Sequence, residues 1–220
     1  MANYPGEAWP PNPWYAFRMG KTASRTAYDE WLALGEGVRA ELVDGRVVTL
    51  PRPTQGHSYA GAALSHFLAG PFSLSHGLGG PGGWWIFPEV DVRFASGDVV
   101  VPDVAGWRRE HAPHPHVRPI EVVPDWVCEI ASPSTAAHDR VWKAELYARH
   151  GVGALWLVDP EARTLEAFTL DAERRWLRVG AWDEIATARI APFEAVELAV
   201  GRLFLPREAE TVALVAVEAR

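Results

Sequence analysis

A short apolar run, Trp126-Val127-Cys128-Glu129-Ile130, constrains the fold of this chain most, because it contains one carboxylate among apolar residues. A run this apolar is typical of a strand that is buried on both faces of a sheet. A charged side chain is almost never fully buried unless it is paired or binds a metal ion. The sequence therefore predicts a central strand in which Glu129 has a specific partner or ligand.

The residues after this strand predict a turn and then a helix. Residues 132–135, Ser-Pro-Ser-Thr, have the chemistry of a turn and a helix N-cap. Helix-forming residues follow over 136–150, and Gly151 is the natural stop. Lys143 is expected about two turns into this helix.

One face of the predicted helix carries Asp139, Lys143 and Tyr147, which are spaced at i, i+4 and i+8. This face could serve a functional site if it points at the sheet. The alternative is an ordinary surface ion pair between Asp139 and Lys143, which would contribute only about 0.3–0.5 kcal/mol. The spacing alone does not choose between the two.

A second carboxylate follows a β-branched run, Val99-Val100-Val101, within the sequence Pro102-Asp103. If Asp103 and Glu129 lie on neighbouring strands with Lys143 on the next helix, they would form a divalent-metal site. Hard cations such as Mg2+ take oxygen ligands, often one or two carboxylates with waters and a substrate phosphate. In the alternative interpretation, Asp103 and Glu129 bind no metal ion and instead cap a helix or form ion pairs.

The overall composition limits the class of protein. At 220 residues the chain is long enough for one well-buried domain and short for two. A net charge of −7 argues against a protein that coats nucleic acid by bulk attraction, although a local basic groove is allowed. The single cysteine, Cys128, predicts a packed core thiol, and no signal-peptide pattern or membrane span is apparent. We therefore expect a soluble cytoplasmic protein.

The rest of the chain predicts a mixed α/β domain. Residues 1–24 form a Pro- and Trp-rich arm with no regular pattern, and residues 25–220 are expected to form a single domain. Asp44-Gly45 between two apolar runs is a strong hairpin signal. The predicted helices are 26–34, with Thr26 as N-cap, and 57–69. The predicted strands are 84–94, 99–107, 154–158, 163–170, 174–181 and 210–217, with 193–205 as a strand or short helix and loops at 70–83 and 108–124.

Two further groups of polar residues are candidate sites in the sequence. Glu89, Asp91 and Arg93 share one face of a predicted strand, and we expect that face to be solvated or to line the rim of a cleft. The loop histidines have alternate spacing, but no cysteine or acidic partner completes a zinc pattern. These histidines are His111, His114 and His116.

Taken in order, these features resemble the Uma2 family, also called DUF820, whose members are restriction-endonuclease-like proteins of the PD-(D/E)XK nuclease superfamily. The resemblance runs over about residues 26–205. It rests on segments 41–45 (Glu-Leu-Val-Asp-Gly), 102–103 (Pro-Asp), 129–135 and 156–160, together with His57, Asp139, Lys143, Tyr147 and Gly151-Val152.

The resemblance implies an α/β fold of the restriction-endonuclease-like type. Its αβββαβ core has a mixed central sheet, with an N-terminal helix and β-hairpin before the core and a β-rich C-terminal extension after it. The resemblance also implies Mg2+-dependent hydrolysis of phosphodiester bonds, with Mn2+ as a substitute. DNA is the expected substrate and a homodimer the expected assembly. A catalytically silent relative that binds nucleic acid or protein is the alternative, and a purely structural scaffold is a third possibility.

The site residues follow from matching the family motifs position by position. Asp103, Glu129 and the Ile130 carbonyl are implied as metal ligands, and Lys143 as the lysine that orients or deprotonates the attacking water. Glu41 matches an additional acidic position and His57 an accessory one. In the superfamily pattern the lysine stands two residues after the glutamate, where this chain has Ala131. The resemblance therefore implies that the lysine has moved to the following helix.

Overall fold

A computed structural model describes residues 26–35, 37–74, 79–112, 117–132 and 138–207. The predicted arm at residues 1–24 and the predicted strand at 210–217 lie outside these ranges, as do His114 and His116. The assignment of one domain to residues 25–220 stays a prediction. Within the described ranges, no helix is long and apolar enough to cross a membrane.

The N-terminal helix and hairpin agree with the sequence prediction. Helix α1 (Ala27–Leu32) begins after Thr26, which forms the predicted N-cap. Strands β1 (Ala40–Val43) and β2 (Arg46–Thr49) pair antiparallel. Both residues of the connecting Asp44-Gly45 turn have positive φ, 48° and 71°. This is the conformation that a tight two-residue hairpin requires, and it explains the choice of these residues.

The second helix is longer than predicted. Helix α2 (Gln55–Leu64) begins after its N-cap Thr54 and continues through π-helical turns at Ser65–Ala69 into α3 (Gly70–Phe72). The helix at 57–69 is thus confirmed, and the loop prediction for 70–83 is wrong at its start. Phe72 explains the extension, because its side chain is buried and its ring lies 4.8 Å from that of Phe193.

Each of the two strands predicted at 84–94 and 99–107 is divided in the structure. The breaks occur at Pro88 and Pro102, because proline lacks the backbone N–H group that a continuous hydrogen-bond ladder needs. Glu89 adds a left-handed turn at φ 50° after the first break. Asp103 consequently lies in the gap between two sheets. The resulting strands are β3 (Trp84–Pro88), β4 (Val92–Arg93), β5 (Val99–Val100) and β6 (Val104–Arg108).

The second half of the chain follows the predicted order. Its elements are β7 (Trp126–Ile130), π-helical turns at His138–Lys143, α4 (Ala144–His150), β8 (Ala154–Asp159), β9 (Thr164–Leu170), β10 (Trp176–Asp183), β11 (Thr187–Ala188), β12 (Leu198–Ala199) and a 3₁₀ turn at Val200–Leu203. Gly151 ends α4 in the left-handed conformation, as predicted. The sequence predicts either a strand or a short helix at 193–205, and the structure has both, the strand β12 followed by the 3₁₀ turn.

The strands form a mixed central sheet and two smaller sheets. The central sheet has the order β10-β9-β8-β7-β6-β3, and β2-β1-β5-β4 and β11-β12 form the other two. In the central sheet β7 and β8 are parallel and the other neighbours are antiparallel. The sequence predicts this mixed α/β architecture, and the family resemblance implies its mixed central sheet; both are confirmed.

Strand β7 lies in the middle of the core and is buried on both faces. Trp126, Cys128 and Ile130 belong to the apolar cluster that contains α2, and Val127 belongs to the cluster that contains α4. Because side chains alternate along a strand, Glu129 shares the α4 face with Val127. The thiol of Cys128 is fully buried, as predicted.

Candidate active site

The side chains that the sequence analysis predicts as site residues lie together where the small sheet, the central sheet and the two main helices meet. Glu41 is on β1, Asp103 follows β5, and Glu129 is near the end of β7. His57 is in the first turn of α2, and Lys143 ends the π-helical turns before α4. All five are at most 8% exposed.

Asp103 is held by groups from three other parts of the chain. Its Oδ2 accepts a hydrogen bond from the backbone N–H of Ile130 at 2.7 Å. Its Oδ1 lies 3.1 Å from His57 Nε2 and 3.6 Å from Arg39 Nη2. These contacts bring the carboxylate to the end of β7, next to the backbone of the residue that follows Glu129.

Glu129 points to the α4 face, where it meets two of the three residues on the predicted helix face. The Tyr147 hydroxyl donates a short hydrogen bond to Oε1, and Oε2 lies 3.3 Å from Lys143 Nζ. Burial raises the pKa of Glu129 well above its usual range, and the nearby carboxylates Asp139 and Asp103 act in the same direction. The Lys143 ammonium opposes this rise without cancelling it.

Lys143 is surrounded by acceptors and is 3% exposed. Its Nζ lies 3.0 Å from Glu41 Oε1, 3.3 Å from Glu129 Oε2 and 3.5 Å from Asp139 Oδ1. It also donates to the Val101 carbonyl at 3.2 Å. Burial alone would lower the pKa of Lys143, but the surrounding carboxylates raise it well above the usual value. Lys143 is therefore a buried ammonium, and its pairing with Asp139 is not the surface ion pair considered from sequence.

Glu41 differs from Glu129 although both contact the same ammonium. Burial would raise the pKa of Glu41, but Lys143, His138 and the backbone N–H of Val101 outweigh it and lower the pKa to about 2. The Val101 N–H donates to Oε1 at 3.0 Å. Oε2 is buried and makes no hydrogen bond within the described residues, although His138 Nε2 lies 3.4 Å away.

Negative charge exceeds positive charge in this cluster. Glu41, Asp103, Glu129 and Asp139 are buried carboxylates, and Lys143 is the only buried ammonium among the described residues. This excess adds to the effect of burial, which is the main reason that the pKa of Glu129 is raised. A further cation would relieve this repulsion.

Two cavities adjoin the cluster. The smaller has a volume of about 40 Å³ and is lined by Asp103, Glu129, Asp139 and Lys143, among others. This exceeds the roughly 10–15 Å³ that one water molecule requires. The larger has a volume of about 330 Å³ and is lined partly by the first turns of α2. Both cavities contact Asp103 and His57, so Asp103 is accessible from two sides.

The donor set fits a hard divalent cation such as Mg2+. The described residues contain no group of three or more His, Cys, Asp or Glu side chains arranged to hold a metal ion. Mg2+ does not need such a group, because it is commonly bound by one or two carboxylates with waters and substrate phosphate. Asp103 and Glu129, which both line the smaller cavity, would supply the carboxylates.

The sequence does not single out several residues of the cluster as site residues. For Asp139 and Tyr147 the signal is their i, i+4 and i+8 spacing with Lys143 on the predicted helix face. His138, whose ring stacks on Trp142 at 5.0 Å, had no such signal. Arg39 also had none, because it reaches Asp103 only through the tertiary fold.

The other polar groups considered from sequence lie apart from the cluster or only at its edge. The shared strand face of Glu89, Asp91 and Arg93 does not form, because the strand breaks between them. Glu89 pairs with Arg39 at 3.2 Å at the cleft rim, and Asp91 pairs with Arg118. His111 pairs with Asp125.

We expect Glu41→Gln to destabilise the protein in a pH-dependent way. The native pKa of Glu41, about 2, lies below the usual glutamate value of 4.5, so ionised Glu41 contributes stability above about pH 4.5. That contribution is lost as the pH falls from about 4.5 to about 2, and its upper size is about 3 kcal/mol. Urea unfolding of both proteins at pH 7 and pH 3.5 tests this. An equal difference at both pH values would contradict it.

Comparison with known proteins supports the family resemblance. The model of the Uma2 family, described as "Putative restriction endonuclease", matches residues 25–201. The fold is similar to a solved structure from Anabaena variabilis ATCC 29413, described as a "putative nuclease belonging to DUF820". The TM-score is 0.64 at 21% sequence identity, and the match covers 82% of this chain and 97% of that one. None of the curated proteins compared with the chain matches it. With the family model matching most of its length, this chain belongs to the Uma2 family.

Proposed function

We propose that this protein is a metal-dependent endonuclease that hydrolyses phosphodiester bonds in DNA. The observation that carries the proposal is the convergence of Asp103, Glu129 and Lys143, which come from distant parts of the chain, beside a small cavity. The nuclease description of the Uma2 family supports the reaction class.

In this proposal Asp103, Glu129 and the Ile130 carbonyl hold one Mg2+ ion, for which Mn2+ can substitute. When bound, such an ion lowers the pKa of a coordinated water and stabilises charge on the scissile phosphate. The protein groups around the ligands fix their orientation. The Ile130 N–H holds Asp103, and the Tyr147 hydroxyl holds Glu129.

The remaining predicted residues have supporting roles. Lys143 holds Glu129 and Glu41 together and provides positive charge beside the attacking water. His57 contacts Asp103 Oδ1, the oxygen opposite the one that accepts from the Ile130 N–H, and acts as an accessory residue that fixes the Asp103 rotamer. Glu41 extends the acidic cluster and keeps Lys143 charged.

We also propose a homodimer in the cytoplasm. Cleavage of both strands of a duplex requires two sites, which a dimer provides. The single cysteine, Cys128, is buried as a thiol, which suits a reducing compartment.

The alternative function is a catalytically silent protein that binds nucleic acid or another protein. One observation favours it: Lys143 already lies among Glu41, Glu129 and Asp139, where it balances part of their charge without a metal ion. Under this alternative, calorimetry with Mn2+ should give no binding heat that depends on Asp103.

Metal-dependent cleavage tests the proposed function. We expect wild-type protein to cleave DNA with Mg2+ or Mn2+ and to be inactive with EDTA. Asp103→Asn should lower the rate by about 10²–10³-fold, because it removes a charge from a site that acts electrostatically. Asp183→Asn on the edge strand β10 is the control, because Asp183 does not line either cavity. Cleavage that persists equally in Asp103→Asn would rule out this site.

A further inference from the structure

We propose that Arg39 is the residue that contacts the scissile phosphate and stabilises the negative charge that develops on it. This inference rests on the proposed endonuclease function and assigns a role to a residue that the sequence motifs do not single out. It follows from comparing the contacts of Lys143, which pairs with Glu129, with those of Arg39, which lies beside Asp103.

Lys143 is poorly placed to contact a substrate. An ammonium group has three donors. Lys143 has acceptors in Val101, Glu41 and Glu129 at 3.0 to 3.3 Å, with Asp139 a little farther away. With 3% of its surface exposed, Lys143 could bind a phosphate only after losing one of these contacts. It is therefore a positioning residue for the buried carboxylates.

Arg39 has the donors that Lys143 lacks. Its side chain is 28% exposed, and both of its ion-pair contacts use one nitrogen, Nη2. Nε is buried and makes no hydrogen bond within the described part of the chain, so the donors left for a ligand are those of Nη1, which neither ion pair uses. A guanidinium has five N–H donors in a planar fork that matches two phosphate oxygens at once. The Arg39 guanidinium therefore has N–H donors that it can offer to a phosphate on the cleft side of Asp103.

The position of Arg39 suits a phosphate that lies over Asp103. Arg39 lines the smaller cavity, and its partner Glu89 lines the larger one. The two cavities share Pro53, His57 and Asp103. A nucleic-acid strand that runs from one cavity to the other would cross Asp103 beside the guanidinium, and a scissile phosphate placed there would lie next to the proposed metal ligand Asp103.

The ion pair with Glu89 orients Arg39 but is weak enough for a substrate to replace it. Glu89 is 42% exposed, and an ion pair between exposed side chains contributes little to stability. The more distant contact with Asp103, at 3.6 Å, is longer than a normal hydrogen bond. A phosphate can therefore replace Glu89 as the partner at little cost. Because arginine keeps its charge at all ordinary pH values, its role is electrostatic and not that of a general acid.

Steady-state cleavage of a DNA oligonucleotide with a mapped cleavage position tests the assignment. We expect Arg39→Ala and Arg39→Gln to lower kcat about 10²–10³-fold. Arg39→Lys should recover part of the loss, because it restores charge without the fork. Arg93→Ala is the matched control: Arg93 is 34% exposed and pairs with one carboxylate, Glu121, away from both cavities. It should stay close to the wild-type rate, with thermal unfolding confirming that all variants fold.

A substrate with a neutral methylphosphonate at the cleavage position separates direct contact from an effect through Asp103. We measure binding of both substrates in the Glu129→Gln background, with and without Arg39→Gln. Direct contact predicts that Arg39→Gln weakens binding of the charged substrate and has little effect on the neutral one. An equal effect on both substrates, or an unchanged kcat in Arg39→Ala, overturns the assignment while leaving the endonuclease function intact. A wild-type protein that cleaves no DNA overturns both.

Discussion

Replacing Glu129 by glutamine should abolish DNA cleavage and at the same time make the metal-free protein more stable. Activity should fall by at least about 10³-fold, because a lost metal ligand removes several kcal/mol of transition-state stabilisation and 1.4 kcal/mol corresponds to tenfold. Stability in EDTA at pH 8 should rise, because glutamine resembles the protonated carboxyl group that the raised pKa of Glu129 favours in the native state. Cleavage rates and urea unfolding measure the two effects.

The sign of the stability change follows from the raised pKa of Glu129. Above the unfolded-state pKa of roughly 4.3, the unfolded chain releases this proton while the native state still holds it. The native state therefore loses stability as the pH rises through this interval, up to the native pKa. Glutamine removes this loss, so the advantage of Glu129→Gln should be absent near pH 4 and should grow as the pH rises above the unfolded-state pKa.

Glu41→Gln is the matched comparison for this experiment. Glu41 and Glu129 are both at most 1% exposed, and both contact the ammonium of Lys143. Their pKa shifts have opposite signs, so one amide substitution should destabilise the protein and the other should stabilise it. Destabilisation by both substitutions would contradict the assignment of the retained proton to Glu129.

Lys143→Met should produce the largest loss of stability of any substitution in the cluster. It leaves Glu41, Glu129 and Asp139 buried without their shared ammonium. Removal of one partner from a buried ion pair costs about 3–5 kcal/mol. For a protein of this size, the melting temperature in EDTA should fall by roughly 6–20 °C at pH 8. The loss should be smaller at pH 5, where the carboxyl groups can take up protons.

Arg140→Met is the control for Lys143→Met. Arg140 lies three residues earlier in the same helical segment and pairs with Asp159 and Glu166 at the surface, with 37% of its side chain exposed. Its loss should cost no more than about 1 kcal/mol. Millimolar Mn2+ should restore part of the stability of Lys143→Met and none of that of Arg140→Met. Equal losses in the two variants would mean that the buried carboxylates do not depend on the ammonium.

Much of the fold could be predicted because local signals and tertiary packing agree. The Asp44-Gly45 turn, the Thr26 cap and the stop at Gly151 are set by backbone conformations that these residues favour, and the structure has all three. The breaks at Pro88 and Pro102 were not predicted, because the apolar pattern continues across both prolines. Only the placement of the two halves in different sheets shows that the strands end there.

The candidate site shows the same division. The buried strand around Glu129 and the shared helix face of Asp139, Lys143 and Tyr147 are predictable from local periodicity. The contact between Glu41 and Lys143, the raised pKa of Glu129 and the position of Arg39 beside Asp103 follow from tertiary packing. These properties depend on distances between segments and on burial, which no local pattern encodes. A pKa, in particular, is set by every charge within a few ångströms and by the loss of water, so it exists only once the chain has folded.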